Sequence, residues 1–273
     1  FLNFSNKLGG KIGINLSKKA IFGWHKLNKN KLGFPWAEDL SSKRLINLLY
    51  NYEYINSASK EGDKKKLDFI IYFHIQRILF DFKSKKIAEF TSFDLIAYLL
   101  SCFLLKKINE TEIDYIKFIV DNQIDKIGVH KSYNFLEHSK FINNLREIKN
   151  ILLFFKSKKS NVFDELILKM TSILNEYFHV DGSLALFNGT NNVYTIKIYK
   201  SLNKESYLKK REFLNINNGI AFYSDKNKKI FFDVVQPNSD MISSNLSAGT
   251  LSFELSGFGE KIISNCGASE SFG

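Results

Sequence analysis

Apolar residues recur every three or four positions through the first two thirds of the chain and every second position near its end. The first period predicts helices. In "DLSSKRLINLLYNYEYI" it sets Leu45, Leu48 and Leu49 on one face of a helix opening at Ser41 or Ser42. A longer helix is expected from about Lys64 to Phe82. "TSFDLIAYLLSCFLL" starts at Thr91 with Asp94 three residues on, a pairing that satisfies orphan amides at a helix start. "NETEIDYIKFIVDNQI" repeats that device with Asn109 and Glu112. "FLEHSKFINNLREIKNILLFF" and "SNVFDELILKMTSILNEYF" supply two more helices, the second capped by Ser160 or Asn161. Short polar turns join them with no strand between, which predicts antiparallel helical hairpins, either a bundle or an α/α toroid. No sequence repeat of fixed period is visible, which disfavours a solenoid.

After "HVDGSLALFNGTNN" the period becomes two. "VYTIKIYK", "GIAFYSD", "KIFFDVV", "TLSFELS" and "KIISNCG" read as strands at short spacing, the beginning of an antiparallel sheet. The expected class is therefore α + β, with a helical domain over residues 1–190 and a sheet domain over 191–273. Residue 1 is Phe and the sequence stops at Gly273, soon after the last two strands, so the chain reads as a piece of a longer protein.

Composition changes this picture little. Hydrophobic residues make up 44% and charged residues 25%, ordinary globular proportions that exclude wholesale disorder. The two prolines favour long helices. Cys102 and Cys266 lie far apart without metal-ligand spacing, and Cys102 sits in the apolar "LLSCFLL". The longest apolar runs are interrupted by polar residues or too short to span about 30 Å of hydrocarbon, so no transmembrane segment is expected. The net charge of +11 suits a polyanionic partner. A nucleic acid is one such partner, but no recognised nucleic-acid motif accompanies the charge. Lys-rich, Arg-poor usage accounts for much of it.

The residues from Ala248 to Gly267, "AGTLSFELSGFGEKIISNCG", resemble the start of the β-sandwich in heparinase II/III-like proteins. "FHVDGSLALFNGTNN" resembles that family's Asp-Gly-Gly-Leu-Ala-Leu-Phe-Asn-Gly stretch, and "DNQIDKIGVHKSYN" its Gln-Ile-x-x-Asp-Gly-Gly-His-x-x-x-Asn segment. Near the front, Trp24 and "PWAEDLSSKRLINLL" with Arg44 resemble a family Trp-and-Arg region. The matches keep their order along nearly the whole chain. The resemblance implies an incomplete N-terminal α/α toroid followed by the first strands of an antiparallel β-sandwich.

It also implies an acidic, uronate-containing polysaccharide as partner, held in a groove between helices and sheet and cut by β-elimination. That reaction removes a proton α to a carboxylate, so it needs a group that neutralises the carboxylate, a base, and an acid for the leaving oxygen. No cofactor is implied. His130 and Asn134 match the family's His and Asn, making His130 a candidate base or carboxylate partner. The chain departs from the pattern too. "FLEHS" stands where active lyases carry Tyr, leaving Tyr133, out of register, and His138 as the other catalytic candidates. Ser247 and Gly249 replace a His and an Asp at the sandwich entry, so no metal site is expected. His179, placed at a helix C-terminus where its protonated form suits the dipole, and Asn188 in a Gly-bounded turn are candidate substrate-binding residues. Plainer roles stand beside these: Asn134 as a helix cap, His130 bonding a turn carbonyl, His138 facing solvent, and His74 in the core with one bonded nitrogen. The rival reading is a non-catalytic glycan-binding or cell-envelope protein on the same fold. The resemblance points to a periplasmic or envelope location; the residues themselves fix none.

Overall fold

A computed structural model describes residues 2–31, 33–36, 38–57, 59–106, 109–191, 215–217, 219–225, 227–234, 249 and 251–266. The strand expected at "VYTIKIYK", Asn192 and Ser247 lie outside them. The backbone divides into two compact units, residues 1–116 and 117–273. The boundary expected at 190/191 falls within the second.

The first unit contains α1 (Leu2–Leu8), α2 (Gly10–Asn28), α3 (Glu38–Tyr50), α4 (Tyr52–Asn56), α5 (Glu61–Ser84) and α6 (Ser92–Leu104), and α7 (Glu110–Gln123) runs across its boundary. Helix α3 begins before the expected Ser41, because Ser41 and Ser42 are buried on its inner side. Ser42 Oγ instead donates to Asp94 Oδ1 at 2.6 Å, tying α3 to the start of α6. Asp94 and Thr91 form the reciprocal cap that the sequence predicts. Asn109 likewise accepts the Glu112 amide at 2.9 Å. Helices α3, α5 and α6 pack together around Leu45, Leu48, Leu67, Ile70, Leu95 and Leu99, all at most 2% exposed. Phe82 stacks on Tyr98 at 3.6 Å, and the Tyr98 hydroxyl reaches Glu112. Arg44 lies 3.7 Å over the Trp24 ring beside Trp36 and His74. His74 is fully buried with Nδ1 on the Ile70 carbonyl, the single bonded nitrogen expected of it.

The second unit holds α8 (Phe135–Phe154), α9 (Asp164–Glu176) and five strands: β1 (Asn215–Asn217), β2 (Ile220–Ser224), β3 (Lys228–Asp233), β4 (Phe253–Gly257) and β5 (Glu260–Ile263). The sheet is an antiparallel meander in the order β1-β2-β3-β4-β5. The sequence pattern finds the last four strands and misses β1. The α9 cap expected at Ser160 or Asn161 is not formed: residues 158–163 are turns, and the helix starts at Asp164 without a side-chain cap. Its acidic first turn, Asp164 and Glu165, provides dipole stabilisation instead. At its other end Lys229 Nζ donates to the carbonyls of Glu176 and Phe178, filling acceptors that the helix leaves open.

Two loops of this unit share one backbone pattern that the sequence conceals. After α7, the Asp125 and Gly128 amides bond the Val129 and Asp125 carbonyls, and Ile124 bridges His130. After α9, the His179 and Gly182 amides bond the Ser183 and His179 carbonyls, and Phe178 bridges Leu184. Gly128 (φ 97°) and Gly182 (φ 79°) occupy the corner of each loop, where a side chain would be strained.

The sheet carries apolar side chains on both faces. Ile220, Phe222 and Phe231 are buried on the inner face, where Phe222 and Phe231 meet Tyr177. Tyr223, Phe232, Phe253 and Ile263 stand 39–45% exposed on the other, with Phe232 stacked on Phe253 at 5.5 Å. A sheet of that composition is built to be covered on each side, as the first layer of a sandwich is. The α + β class expected from the change of period is the one observed.

Candidate functional site

The loop from Asp125 to Asn134 carries three of the predicted residues, and its shape follows from its amides. Asp125 Oδ1 accepts the amides of Ile127, Gly128 and Val129 at 2.9 Å each, which fastens the loop from within. Asn134 caps α8: its Oδ1 accepts the Leu136 and Glu137 amides at 2.9 and 3.0 Å. Such a cap contributes about 1 kcal/mol. Thr190 Oγ1 donates to the same oxygen at 3.3 Å and accepts the Phe135 amide at 3.0 Å. Asn188, at φ 51°, is buried and donates to the Tyr133 carbonyl at 3.4 Å. The turn at Asn188 and Thr190 therefore braces the turn at 130–134. Asn134 Oδ1 and the Asn188 amide are engaged in that bracing, the plainer role the sequence also allowed.

His138 is not the solvent-facing residue expected. It is 1% exposed, its Nδ1 accepts the His130 amide at 3.1 Å, and its Nε2 donates to the Met170 carbonyl at 2.9 Å. Both nitrogens hold backbone, so no lone pair is left for a substrate proton. Burial pushes its pKa down to about 4, and the imidazole is neutral. The catalytic expectation for His138 gives way to a positioning role: it fastens the His130 backbone to α9.

His130 is half-buried, its ring 4.9 Å from Phe141. Nδ1 lies 2.8 Å from Ser132 Oγ and accepts the Ser132 amide at 3.3 Å. Ser132 Oγ in turn accepts the Asn134 amide, which leaves its proton for His130 Nδ1. Those donors assign the neutral tautomer with hydrogen on Nε2. Burial lowers its pKa to about 4, so it stays neutral at pH 7. Tyr133 follows at φ 49°, its amide on the His130 carbonyl at 2.9 Å. Burial, with the Asp125 charge nearby, raises its hydroxyl above the usual tyrosine range. The turn thus carries both a neutral imidazole with Nε2–H and a protonated phenol.

His179 departs furthest from expectation. It is 3% exposed, Nε2 lies 2.7 Å from Glu254 Oε2, and Nδ1 lies 2.8 Å from Ser256 Oγ. The Val180 amide donates to Ser256 Oγ, whose proton then goes to Nδ1. His179 is neutral, donating from Nε2 to a carboxylate. Burial lowers its pKa and outweighs the upward pull of Glu254. Glu254 is fully buried on β4. Burial opposes its charge, but the His179 bond, the Lys261 ammonium and the Asn265 amide hold its carboxyl below the usual range. Oε2 also takes the Leu186 amide at 3.2 Å and Lys261 Nζ at 3.3 Å, and Oε1 the Asn265 amide at 2.9 Å. The substrate-binding and dipole roles expected of His179 are replaced by a buried clamp between the 178–186 loop and the sheet. Glu254, Ser256 and Lys261 were not expected. A signal for Glu254 and Ser256 was present in "SFELS", where polar residues alternate at the positions of a buried face.

Residues 214–273 match the C-terminal model of the heparinase II/III-like family. Crystal structures share the fold of most of the chain. A heparinase III structure superposes with a TM-score of 0.75 at 14% identity, over 95% of this chain and 47% of that one. The chain has the fold of heparinase III. A heparan sulfate lyase from Pedobacter heparinus gives 0.59 at 15% identity, over 92% of this chain and 45% of that one. The chain thus spans less than half the length of these heparinase structures. No protein of curated function matches the sequence. No helix among the described residues is long and apolar enough to cross a membrane.

Proposed function

We infer that this heparinase-like chain binds an acidic, uronate-containing polysaccharide at the 130–134 turn, and that such binding would serve β-elimination where a base for the α proton is supplied. The observation that carries the reading is chemical. Of the candidate histidines, His130 keeps Nε2–H outside the internal network, on a turn that also carries Tyr133 and is braced from three sides. A neutral N–H donor is suited to a substrate carboxylate, and bonding it there would acidify the α proton. Tyr133, held protonated by its raised pKa, is suited to donate to the leaving oxygen. The net charge of +11 draws a polyanion from a distance. Heparan sulfate, the substrate named for one of the similar structures, is the natural first probe.

One observation favours the rival, glycan binding without turnover. Elimination needs a base for the α proton, and both nitrogens of His138 and of His179 are engaged. One experiment separates the readings. The chain is incubated with heparan sulfate and a panel of other uronate polysaccharides, while binding and ultraviolet absorbance of unsaturated ends are followed together. Binding with absorbance growth, both reduced at least about tenfold by His130→Ala, supports the lyase. Binding reduced by His130→Ala with no absorbance growth supports the rival. No binding to any member of the panel contradicts both.

A further inference from the structure

Helix α2 turns an uncovered apolar face to solvent. At about 100° per residue, its buried Gly13, Ile14, Ser17, Lys18 and His25 share one side. Ile12, Leu16, Ala20, Gly23 and Leu27 share the other, and all five are exposed. Ile12 is 75% exposed, Leu27 67% and Phe34, just past the helix, 81%. A side chain at Gly23 would meet no atom within 4 Å, so nothing overlies the middle of the stripe.

The charge around this stripe has one sign. Residues 1–37 contain seven lysines, no arginine and no Asp or Glu, so they carry +7 of the chain's net +11. Lys18 is spent inward on Asp63 at 3.2 Å. Lys11, Lys19 and Lys26 are exposed along the stripe and have no carboxylate partner among the described residues. The carboxylates on the first turns of α5 are engaged elsewhere: Asp68 by the Tyr52 hydroxyl at 2.6 Å and Glu61 by Lys65 at 3.9 Å. Helix α5 adds instead Lys66, 4.4 Å over the Phe22 ring of α2, and the exposed Phe69, which meets the ring of His25.

We propose that this face of α2 docks on an anionic lipid surface, with the helix lying in the plane of the interface. Such a surface meets both halves of the pattern. Its hydrocarbon takes the aliphatic stripe, and its phosphates take the ammonium groups, which the long lysine stems lift to headgroup level. An anionic glycan would engage the lysines but leave Ile12, Leu16 and Leu27 in water. A second copy docked face to face would bury the stripe but oppose lysine to lysine. The attachment is peripheral, since no described helix can cross a bilayer.

This surface stands apart from the reading of residues 130–134 and is tested separately. The 273-residue chain is sedimented with vesicles of phosphatidylcholine alone, or of equal parts phosphatidylcholine and phosphatidylglycerol. Saturable binding to the mixed vesicles is expected, at least about tenfold tighter than to the neutral ones. Lys19→Gln with Lys26→Gln should weaken it about tenfold or more, since each lysine at an anionic surface contributes about fivefold. Ile12→Ser with Leu27→Ser should weaken it by a similar factor through lost apolar burial, about tenfold. All four side chains are exposed, so far-ultraviolet dichroism should be unchanged. If the serine pair loses it, Leu27→Ser alone decides by the same criterion. Lys126→Gln with Lys158→Gln removes the same charge from exposed positions of the second unit and should change binding less than about twofold. No binding, equal binding to neutral and mixed vesicles, or an equal loss from the second-unit pair would each overturn the proposal. So would vesicle binding that survives the serine pair, which would reduce it to adsorption of net charge. A dimer dispersed by the serine pair, or heparan sulfate binding lost with Lys19 and Lys26, without vesicle binding in the parent, would give the face to a second copy or to a glycan instead.

Discussion

On acidification the chain is expected to unfold above the carboxylate range, with its midpoint between about pH 6 and pH 4. The cause is its histidines. His74, His130 and His138 have their pKa values pushed by burial to about 4, and His25 and His179 are lowered too. In the unfolded chain each returns to about 6.5. Below that value the unfolded state binds protons that the native state refuses, so native stability is complete above pH 6.5 and falls as pH drops towards 4. A shift from 6.5 to about 4 corresponds to roughly 3 kcal/mol for one group, and three such groups match the whole stability of an ordinary domain. Lowered carboxylates such as Glu254 add their losses only below their own range. Far-ultraviolet dichroism against pH measures this directly. His74→Phe, which removes one buried titration between Trp24 and Trp36, should move the midpoint to lower pH. Full helicity at pH 4 would show that these imidazoles are not held neutral by burial.

Glu254→Ala should cost about 3–5 kcal/mol, read as a lower urea midpoint, because it strips the shared acceptor from a buried network. His179 Nε2, Lys261 Nζ and the amides of Leu186 and Asn265 all donate to this carboxylate, and the buried His179 and Leu186 donors would be left without an acceptor. Glu254→Gln, which keeps an acceptor oxygen but not the charge, should lose less. The effect belongs to the second unit, where β4 meets the 178–186 loop. A loss under 1 kcal/mol for the alanine variant would mean that the clamp does not hold the sheet.

How much of this was legible in the sequence depended on the distance between partners. Thr91 with Asp94, and Asn109 with Glu112, are contacts within one helical turn, and the residue types alone reveal them. The period of two located β2 to β5 because a strand's two faces are written in alternate residues. The partners of His179 lie 75 and 77 residues away on β4, and nothing in the residues around His179 points to them. Its position after a helix suggested a dipole interaction, which a neutral, buried ring cannot make. His138 was misjudged for a related reason. It follows a polar Glu137 on a helix surface, but the first turn of α8 is covered by the loop that ends at His130 and by α9. Asn134 and Asn188 were placed correctly in turns. Which of their atoms faced inward was set by Thr190 and by the Tyr133 carbonyl, more than fifty residues apart in sequence.

The claim on which the functional reading depends is that His130, alone among the histidines of the second unit, offers a ring nitrogen to a ligand. Nitrogen-detected NMR of the imidazoles during a titration with heparan sulfate oligosaccharides tests it most directly. The account predicts a saturable shift of the His130 Nε2 resonance, with the His138 and His179 resonances unmoved and carrying their protons on Nε2. A saturable shift at His138 or His179 with His130 unchanged would contradict it.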